Sequence, residues 1–333
     1  MMKIFRGFRH PDLAPRCALT IGNFDGIHRG HQAMLSLLMG EARQRSVPSC
    51  VLTFEPHPRD YFAALAHQPV LAPARVGTLR DKLCDLAQCG VDQAVVLSFG
   101  AHLAGLSPQG FIDTVLRGLG ACYVQVGDDF RFGAGRTGDY ASLDAVGTAQ
   151  GFDVARMNSY EVHGLRVSSS AVRSALAQGR MQDAARLMGH PYRISGHVVH
   201  GRKLGRSLGF KTLNLRFAHW NPAASGIFVV WVHGLAPQPL RGVANLGIRP
   251  SLDADDVNGG RVLLETHCLD WPPHLADGAY GRIIRVELLH KLHDERRYSN
   301  MDALIAAISQ DCYDARAWFS QSPHHCLTII PNP

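Results

Sequence analysis

Two histidines three residues apart, His28 and His31, lie in the segment GNFDGIHRGH at residues 22–31. A short apolar run at 17–22 precedes it and an apolar-periodic stretch at 32–43 follows, so the segment reads as a strand-to-helix turn. Glycines 22, 26 and 30 allow a tight turn and close approach of the backbone to a ligand. A helix that begins here offers unpaired N–H groups and the positive end of its dipole, which suits a phosphate. On the first helical turn both imidazoles can face that phosphate. Such a pair can stabilise charge on a transferring phosphoryl group without a covalent intermediate. Gly22, Asp25 and Gly30 are then the turn residues closest to the nucleotide. The plainer alternative is a glycine-rich turn carrying two surface histidines.

Three further constellations carry chemistry. In RVSSSAVRSALAQG, Ser168, Ser169 and Ser170 stand at a helix start with Arg173 one turn in. An ordinary serine cap, worth about 1 kcal/mol, accounts for one of them. Hydroxyls, N–H groups and an arginine fork around a polyphosphate account for the set. In GHVVHGRKLGRSLGFKTLNL, Gly201, Gly205 and Gly209 recur every four residues. They form either a glycine-bent strand pair at a barrel corner or a flap closing on nucleotide phosphates. In the second case Thr212 and Asn214 supply oxygens to a hard cation, which suits Mg²⁺. In LLETHCLDW, strand alternation sets Leu263, Glu265 and His267 on one face. A glutamate among apolar neighbours is costly unless paired or functional. An edge carboxylate partnered by an arginine is the bland account of it.

These motifs together resemble the bacterial bifunctional riboflavin kinase/FMN adenylyltransferase family, also called FAD synthetase. H-x-G-H is the adenylate-transfer signature of the wider nucleotidyltransferase superfamily, and the serine segment resembles that superfamily's S-S-T-x-x-R element, with Ser170 in place of Thr. TFEPHP at 53–58 resembles the family's T-F-x-P-H-P, and VGDDFRFGAGRTGD at 126–139 its V-G-x-D/N-F-x-F-G. The resemblance puts His57, Asp129 and Arg131 on the flavin side of the reacting phosphates, and Ser169, Ser170 and Arg173 on the ATP phosphates. The flap resembles the riboflavin kinase element ending G-F-P-T-A-N, except that Lys211 replaces Pro and Leu213 replaces Ala. It makes Glu265 the general base for the riboflavin hydroxyl. GVANLGIRPSL at 242–252 and KLHDERRY at 291–298 also match, with Ser251 for Thr and His293 for Arg. The expected substrates are riboflavin, FMN and ATP, with FAD as product and Mg²⁺ as cofactor. A relative with only adenylyltransferase activity, its kinase impaired at Lys211 and His293, is the alternative. A flavin-binding regulator is another, though it would not need both histidines and Glu265.

The elements that must position these residues fall into two groups. Up to residue 127, strand-like runs at 17–22, 49–54, 93–98 and 122–127 alternate with helix-like stretches at 32–43, 79–88 and 108–118. This predicts an α/β domain with a parallel sheet, whose ligands sit beyond the carboxyl ends of the strands. The resemblance makes it a Rossmann-like nucleotidyltransferase domain. Short helices at 171–178 and 182–188 end at His190-Pro191, so the expected domains are 1–189 and 190–320, with a tail at 321–333. In the second, β-rich segments at 196–200, 212–215, 226–232, 261–268 and 283–289 predict a small antiparallel barrel or sandwich. Leu304, Ile305 and Ile308 predict a closing helix.

Composition bounds the rest. The 333 residues are 46% hydrophobic and 19% charged, enough for two cores and too apolar for a disordered chain. The net charge of +6 is diffuse, with no run of five basic residues, which disfavours nucleic-acid or polybasic membrane binding and leaves small anions as partners. The eight cysteines contain no C-x-x-C pair and read as reduced thiols of a cytoplasmic protein. No secretory signal or 18-residue apolar run is visible.

Overall fold

The computed structural model describes residues 1–158, 160–162, 165–201, 209–217, 219, 221–248, 262–275 and 279–321. Its first sheet has six strands, all parallel: β1 (Lys3–Arg6), β2 (Cys17–Ile21), β3 (Ser49–Glu55), β4 (Gln93–Ser98), β5 (Ala121–Gly127) and β6 (Asp153–Met157). Their spatial order is β1-β4-β3-β2-β5-β6. The chain winds outward from β2 in one direction through β3 and β4, then crosses to β5 and β6 on the other side. The switch point lies between β2 and β5, and sheets of this kind bind ligands there, beyond the carboxyl ends of the strands.

The central strands are buried along almost their whole length, as continuous apolar runs in a doubly covered sheet should be. One face, with Leu19, Ile21, Leu52, Val95 and Val124, packs on Phe111, Ile112 and Val115. The other, with Ala18, Val51 and Ala94, packs on α1 (Arg29–Gln44) through Leu35, Leu38 and Ala42, and on α3 (Leu79–Gln88) through Leu86. Between them α2 (Pro58–Leu65) follows β3. The 108–118 stretch is a short helix, α5 (Pro108–Phe111), continued by a π-helical turn over Ile112–Leu116, and a one-turn helix, α4 (Ala101–Ala104), comes before it. After β5 come α6 (Tyr140–Gln150), a hairpin of β7 (Glu161–Val162) and β8 (Leu165–Arg166), α7 (Ser169–Ala177) and α8 (Met181–Met188).

The second sheet is a closed antiparallel barrel in the order β10-β13-β12-β11-β14-β9. Its strands are β9 (Tyr192–Val199), β10 (Thr212–Arg216), β11 (Gly226–His233), β12 (Leu240–Ile248), β13 (Val262–Cys268) and β14 (Ile283–His293). Alternation fills the interior: Val262, Leu264, Thr266 and Cys268 are buried, whereas Leu263, Glu265 and His267 face outward. The last helix, α9 (Met301–Gln321), covers the barrel with Cys312, Ala315 and Phe319 against Val229, Val243, Leu269 and Leu289. The parallel sheet, the closed barrel and the final helix are the architecture expected from the pattern.

The backbone divides into two packing units, Met1–Ala74 with Leu79–Val172, and Arg75–Thr78 with Arg173–Pro333. In the second unit the Arg75 N–H donates to Asn221 O (2.8 Å) and the Ala223 N–H to Arg75 O (3.0 Å). No helix among the described residues is long and apolar enough to cross a membrane.

Candidate active sites

The first site grows from the loop between β2 and α1, at the switch point. The Gly22 N–H donates to Leu52 O, 3.1 Å away, tying the loop to β3. Phe24 is buried at φ +48°, a backbone region that residues with a side chain seldom adopt. A Cβ on Gly22 would meet the Phe24 ring at 3.1 Å, so glycine there leaves the ring its room. His28 caps α1: its Nδ1 accepts the His31 N–H at 3.2 Å. The His31 Nδ1 lies 3.1 Å from Gly26 O. The two imidazoles stack, centroids 3.7 Å apart and planes within 14°.

These partners assign the ring protons. An accepting Nδ1 puts the proton of neutral His28 on Nε2, where it can donate to an oxyanion. His31 must carry its proton on Nδ1 to meet a carbonyl, so its Nε2 donates only when the ring is cationic. Gly30 is needed for the same geometry, since a Cβ there would lie 3.2 Å from His28 Nδ1 and 3.5 Å from Val167 O.

The serine motif reaches this loop. The Ser169 hydroxyl donates to Asp25 O at 3.1 Å, and Ser168 caps α7 by accepting the Ala171 N–H at 3.2 Å. Asp25 is buried, Ser170 exposed and Arg173 half-buried one turn into α7. His57 leaves the carboxyl end of β3 and caps α2, its Nδ1 accepting the Arg59 N–H at 3.1 Å. It too is buried. Asp129 and Arg131 follow β5, on the other side of the switch point, and both are exposed. Arg131 pairs with Asp139 at 2.9 Å. Hydrogen bonds from Ser142 in the α6 capping box, with Arg131 adding to them, hold the Asp139 carboxyl below the usual carboxylate range. Sequence reading passed over Lys82 and gave Thr53 no role, yet both are buried polar residues at this edge of the sheet.

The second site lies on one outer row of the barrel. Register places Asn214 of β10 opposite Glu265 of β13, and Glu265 opposite Asn245 of β12. The expectation of a glutamate among apolar neighbours is corrected here: Glu265 is exposed and its cross-strand neighbours are two asparagines. Asn214 is only 4% exposed, and a Cβ on Gly201 would lie 2.5 Å from its Nδ2. The Oδ1 atoms of Asn214 and Asn245 are buried and have no hydrogen-bond partner among the described residues. Buried carbonyl oxygens without partners are uncommon, and this pair flanks the glutamate. The Asn245 Nδ2 donates to Glu295 Oε1 at 3.0 Å, bringing in a second carboxylate that carried no expectation. Gly205 lies outside the described residues.

Thr212 pairs in register with His267, whose Nδ1 is 2.9 Å from Lys211 O. Burial pushes the His267 imidazole below the ordinary histidine range; Lys211 O opposes that shift and Arg316 adds to it. The Lys211 ammonium stands 5.8 Å from the Trp271 ring centroid, a cation–π contact.

Residues 10–171 match the family described as FAD synthetase, and residues 188–319 the riboflavin kinase family. The chain is 44% identical to the bifunctional riboflavin kinase/FMN adenylyltransferase of Escherichia coli K12, over 96% of this chain and 98% of that one. It is 41% identical to the protein of the same name from Pseudomonas fluorescens, over 97% of this chain and all of that one. In three dimensions it is similar to the crystal structure of a macrolide-efflux protein from Streptococcus pneumoniae, with a TM-score of 0.72 and 25% identity over 95% of this chain and 99% of that one. With both halves matched in order and 96% of its length covered, the chain belongs to the bifunctional riboflavin kinase/FMN adenylyltransferase family.

Proposed function

We infer that this chain converts riboflavin to FMN and FMN to FAD, the first reaction in residues 190–320 and the second in residues 1–189. The observation that carries the second reaction is the stacked His28–His31 pair at the start of α1, beyond the carboxyl end of β2. An FMN phosphate oxygen attacks the α-phosphorus of ATP in line, the bond to the bridging oxygen breaks, and pyrophosphate leaves. His28 and His31 meet the charge that develops on the α-phosphate. The backbone of Gly22, Asp25 and Gly30 cradles it, and Ser169, Ser170 and Arg173 hold the departing pyrophosphate. His57, Asp129 and Arg131 face the FMN side, all three at the carboxyl edge of the sheet.

In the barrel, Glu265 takes the proton from the primary hydroxyl of riboflavin, whose oxygen attacks the γ-phosphorus of ATP; the bond to the β,γ-bridging oxygen breaks and ADP leaves. A positioned base of this kind contributes roughly 10²- to 10⁴-fold. The buried, unpartnered Oδ1 of Asn214 and the Thr212 hydroxyl beside it are hard oxygen donors, which fit Mg²⁺. That ion supplies neutralising charge on the transferred phosphates when bound. Gly201 and Gly205 belong to the phosphate flap. The partners are small molecules, and the seven described cysteines, all free thiols, suit the reducing cytoplasm.

Incubation of the purified protein with riboflavin and Mg-ATP, followed by chromatography of the flavins, tests the reading. FAD is the expected product. Unchanged riboflavin, with added FMN still converted to FAD, would leave only the adenylyltransferase.

A further inference from the structure

Behind the first site a buried ammonium is wired to the catalytic loop. Lys82, in the first turn of α3, is 4% exposed, and its Nζ donates to Thr53 Oγ at 3.2 Å. Thr53, on β3, is 0% exposed, and its hydroxyl donates in turn to Asn23 O at 3.2 Å. A threonine hydroxyl has one proton, so accepting from Lys82 leaves that proton for Asn23. The relay has a direction, from lysine to hydroxyl to loop carbonyl.

The carbonyl it ends on is well placed to matter. Asn23 immediately precedes Phe24, whose left-handed backbone persists only if the structure on either side holds it. The Phe24 ring lies 4.9 Å from the His31 ring, which stacks on His28. On the amino side of Phe24, the Gly22 N–H to Leu52 O bond and the Thr53 to Asn23 bond both anchor the turn to β3. The second is made only while the Thr53 hydroxyl points at that carbonyl.

We propose that Lys82 is a positioning residue for adenylyl transfer: through Thr53 it fixes the Asn23 carbonyl, and with it the turn at Phe24 that sets the two histidines. It touches neither substrate nor reacting atoms. The proposal rests on the adenylyl-transfer reading of His28 and His31.

The test compares Thr53→Val, Thr53→Ser, Lys82→Met and the Lys82→Met/Thr53→Val double variant with His31→Ala in the full chain. Thr53→Val keeps the shape and removes the hydroxyl, so it remains informative if Lys82→Met folds poorly. Adenylylation of FMN should slow on the order of 10- to 100-fold in kcat for Thr53→Val and Lys82→Met, the size expected of slightly misplaced catalytic groups. The KM for ATP should change by less than about threefold, Thr53→Ser should keep the wild-type rate, and the double variant should be no slower than the slower single. Riboflavin phosphorylation should be unchanged throughout. A wild-type rate for Thr53→Val, a loss confined to KM, multiplying effects in the double variant, or a Thr53→Ser enzyme as slow as Thr53→Val would overturn the proposal. If His31→Ala were also fully active, the reading of the site itself would fall instead.

Discussion

The imidazole of His293, at the end of β14, is clamped to Asp311 of the closing helix: Nε2 lies 2.8 Å from Asp311 Oδ1. Its other nitrogen lies 2.7 Å from Asp294 O. Asp311 is buried. His293 stands where the family resemblance expects arginine, and from that position its ring reaches a buried carboxylate.

The first prediction follows from that clamp. His293→Ala strands the Asp311 carboxylate and should destabilise the barrel half by about 3 kcal/mol, the lower end for breaking a buried pair. Urea unfolding of the full chain, followed through the tryptophans, measures it. The double change His293→Ala/Asp311→Ala should recover part of the loss, because no buried charge remains. Equal or greater loss in the double variant would show that the pair is not the reason.

The two activities should separate by residue. His31→Ala should abolish FAD formation while FMN still accumulates from riboflavin. Glu265→Gln should slow riboflavin phosphorylation by roughly 10²- to 10⁴-fold while added FMN is still adenylylated. His31 lies on α1, which packs on the parallel sheet, and Glu265 on β13 of the barrel. Normal FAD formation by His31→Ala would remove the adenylyl-transfer assignment.

Two glycines should behave as site residues. Gly30→Ala brings a methyl group to 3.2 Å from His28 Nδ1, where the cap must shift or the ring must turn. Gly201→Ala puts its methyl 2.5 Å from Asn214 Nδ2, closer than real contacts allow. The first should slow adenylylation and spare the kinase; the second should do the reverse. Steady-state rates of each half-reaction for both variants decide it.

What the sequence made legible was whatever its local pattern overdetermines. The central strands are unbroken apolar runs between turns, and residues 79–88 form a helix over that very span. The β1 strand escaped notice because KIFR lies at the sheet edge with one buried residue, so no pattern marks it. The β12 strand escaped because glycines interrupt LRGVANLGI and blur its alternation. Leu37, within the apolar-periodic stretch at 32–43, is 56% exposed, because the sheet is met by Met34, Leu35, Leu38 and Ala42. At the sites, motifs named the candidate residues, but not those that hold them in place. Lys82 reads as a charged helix residue until the fold buries it against Thr53. Glu295 gains meaning only when the barrel brings Asn245 within 3.0 Å, since fifty residues separate them in sequence.

His267 should give the barrel half an acid-sensitive step. Burial holds its folded-state imidazole below the ordinary value of 6.5. A group depressed in this way contributes stability that is whole above 6.5 and is lost as pH falls through the folded-state value. The neutral ring is the form that fits. Thermal unfolding between about pH 5 and 7.5 should therefore show His267→Asn losing less stability on acidification than the wild type. An equal slope for both would assign the acid sensitivity elsewhere.

Lys211→Pro sets two effects against each other. Proline would fix φ near −65° just before Thr212, and a stiffer loop presenting Thr212 and Asn214 is worth about 0.4–1 kcal/mol where the backbone is compatible. The structure diminishes that gain. The Lys211 carbonyl already accepts from His267, and its ammonium already lies over Trp271, so the segment is held at both ends. Proline keeps the carbonyl and its bond to His267 but loses the cation–π contact, worth about 0.5–1 kcal/mol at an exposed site. Gain and loss are similar, so the KM for ATP in riboflavin phosphorylation should move by less than about threefold in either direction, each 1.4 kcal/mol being tenfold. Trp271→Leu then isolates the second term. In that background the contact is gone already, and Lys211→Pro should lower the KM for ATP. FMN adenylylation, measured alongside, should not respond. A large rise in the KM of Lys211→Pro that persists in the Trp271→Leu background would mean that the ammonium acts on the nucleotide phosphates, not through the ring.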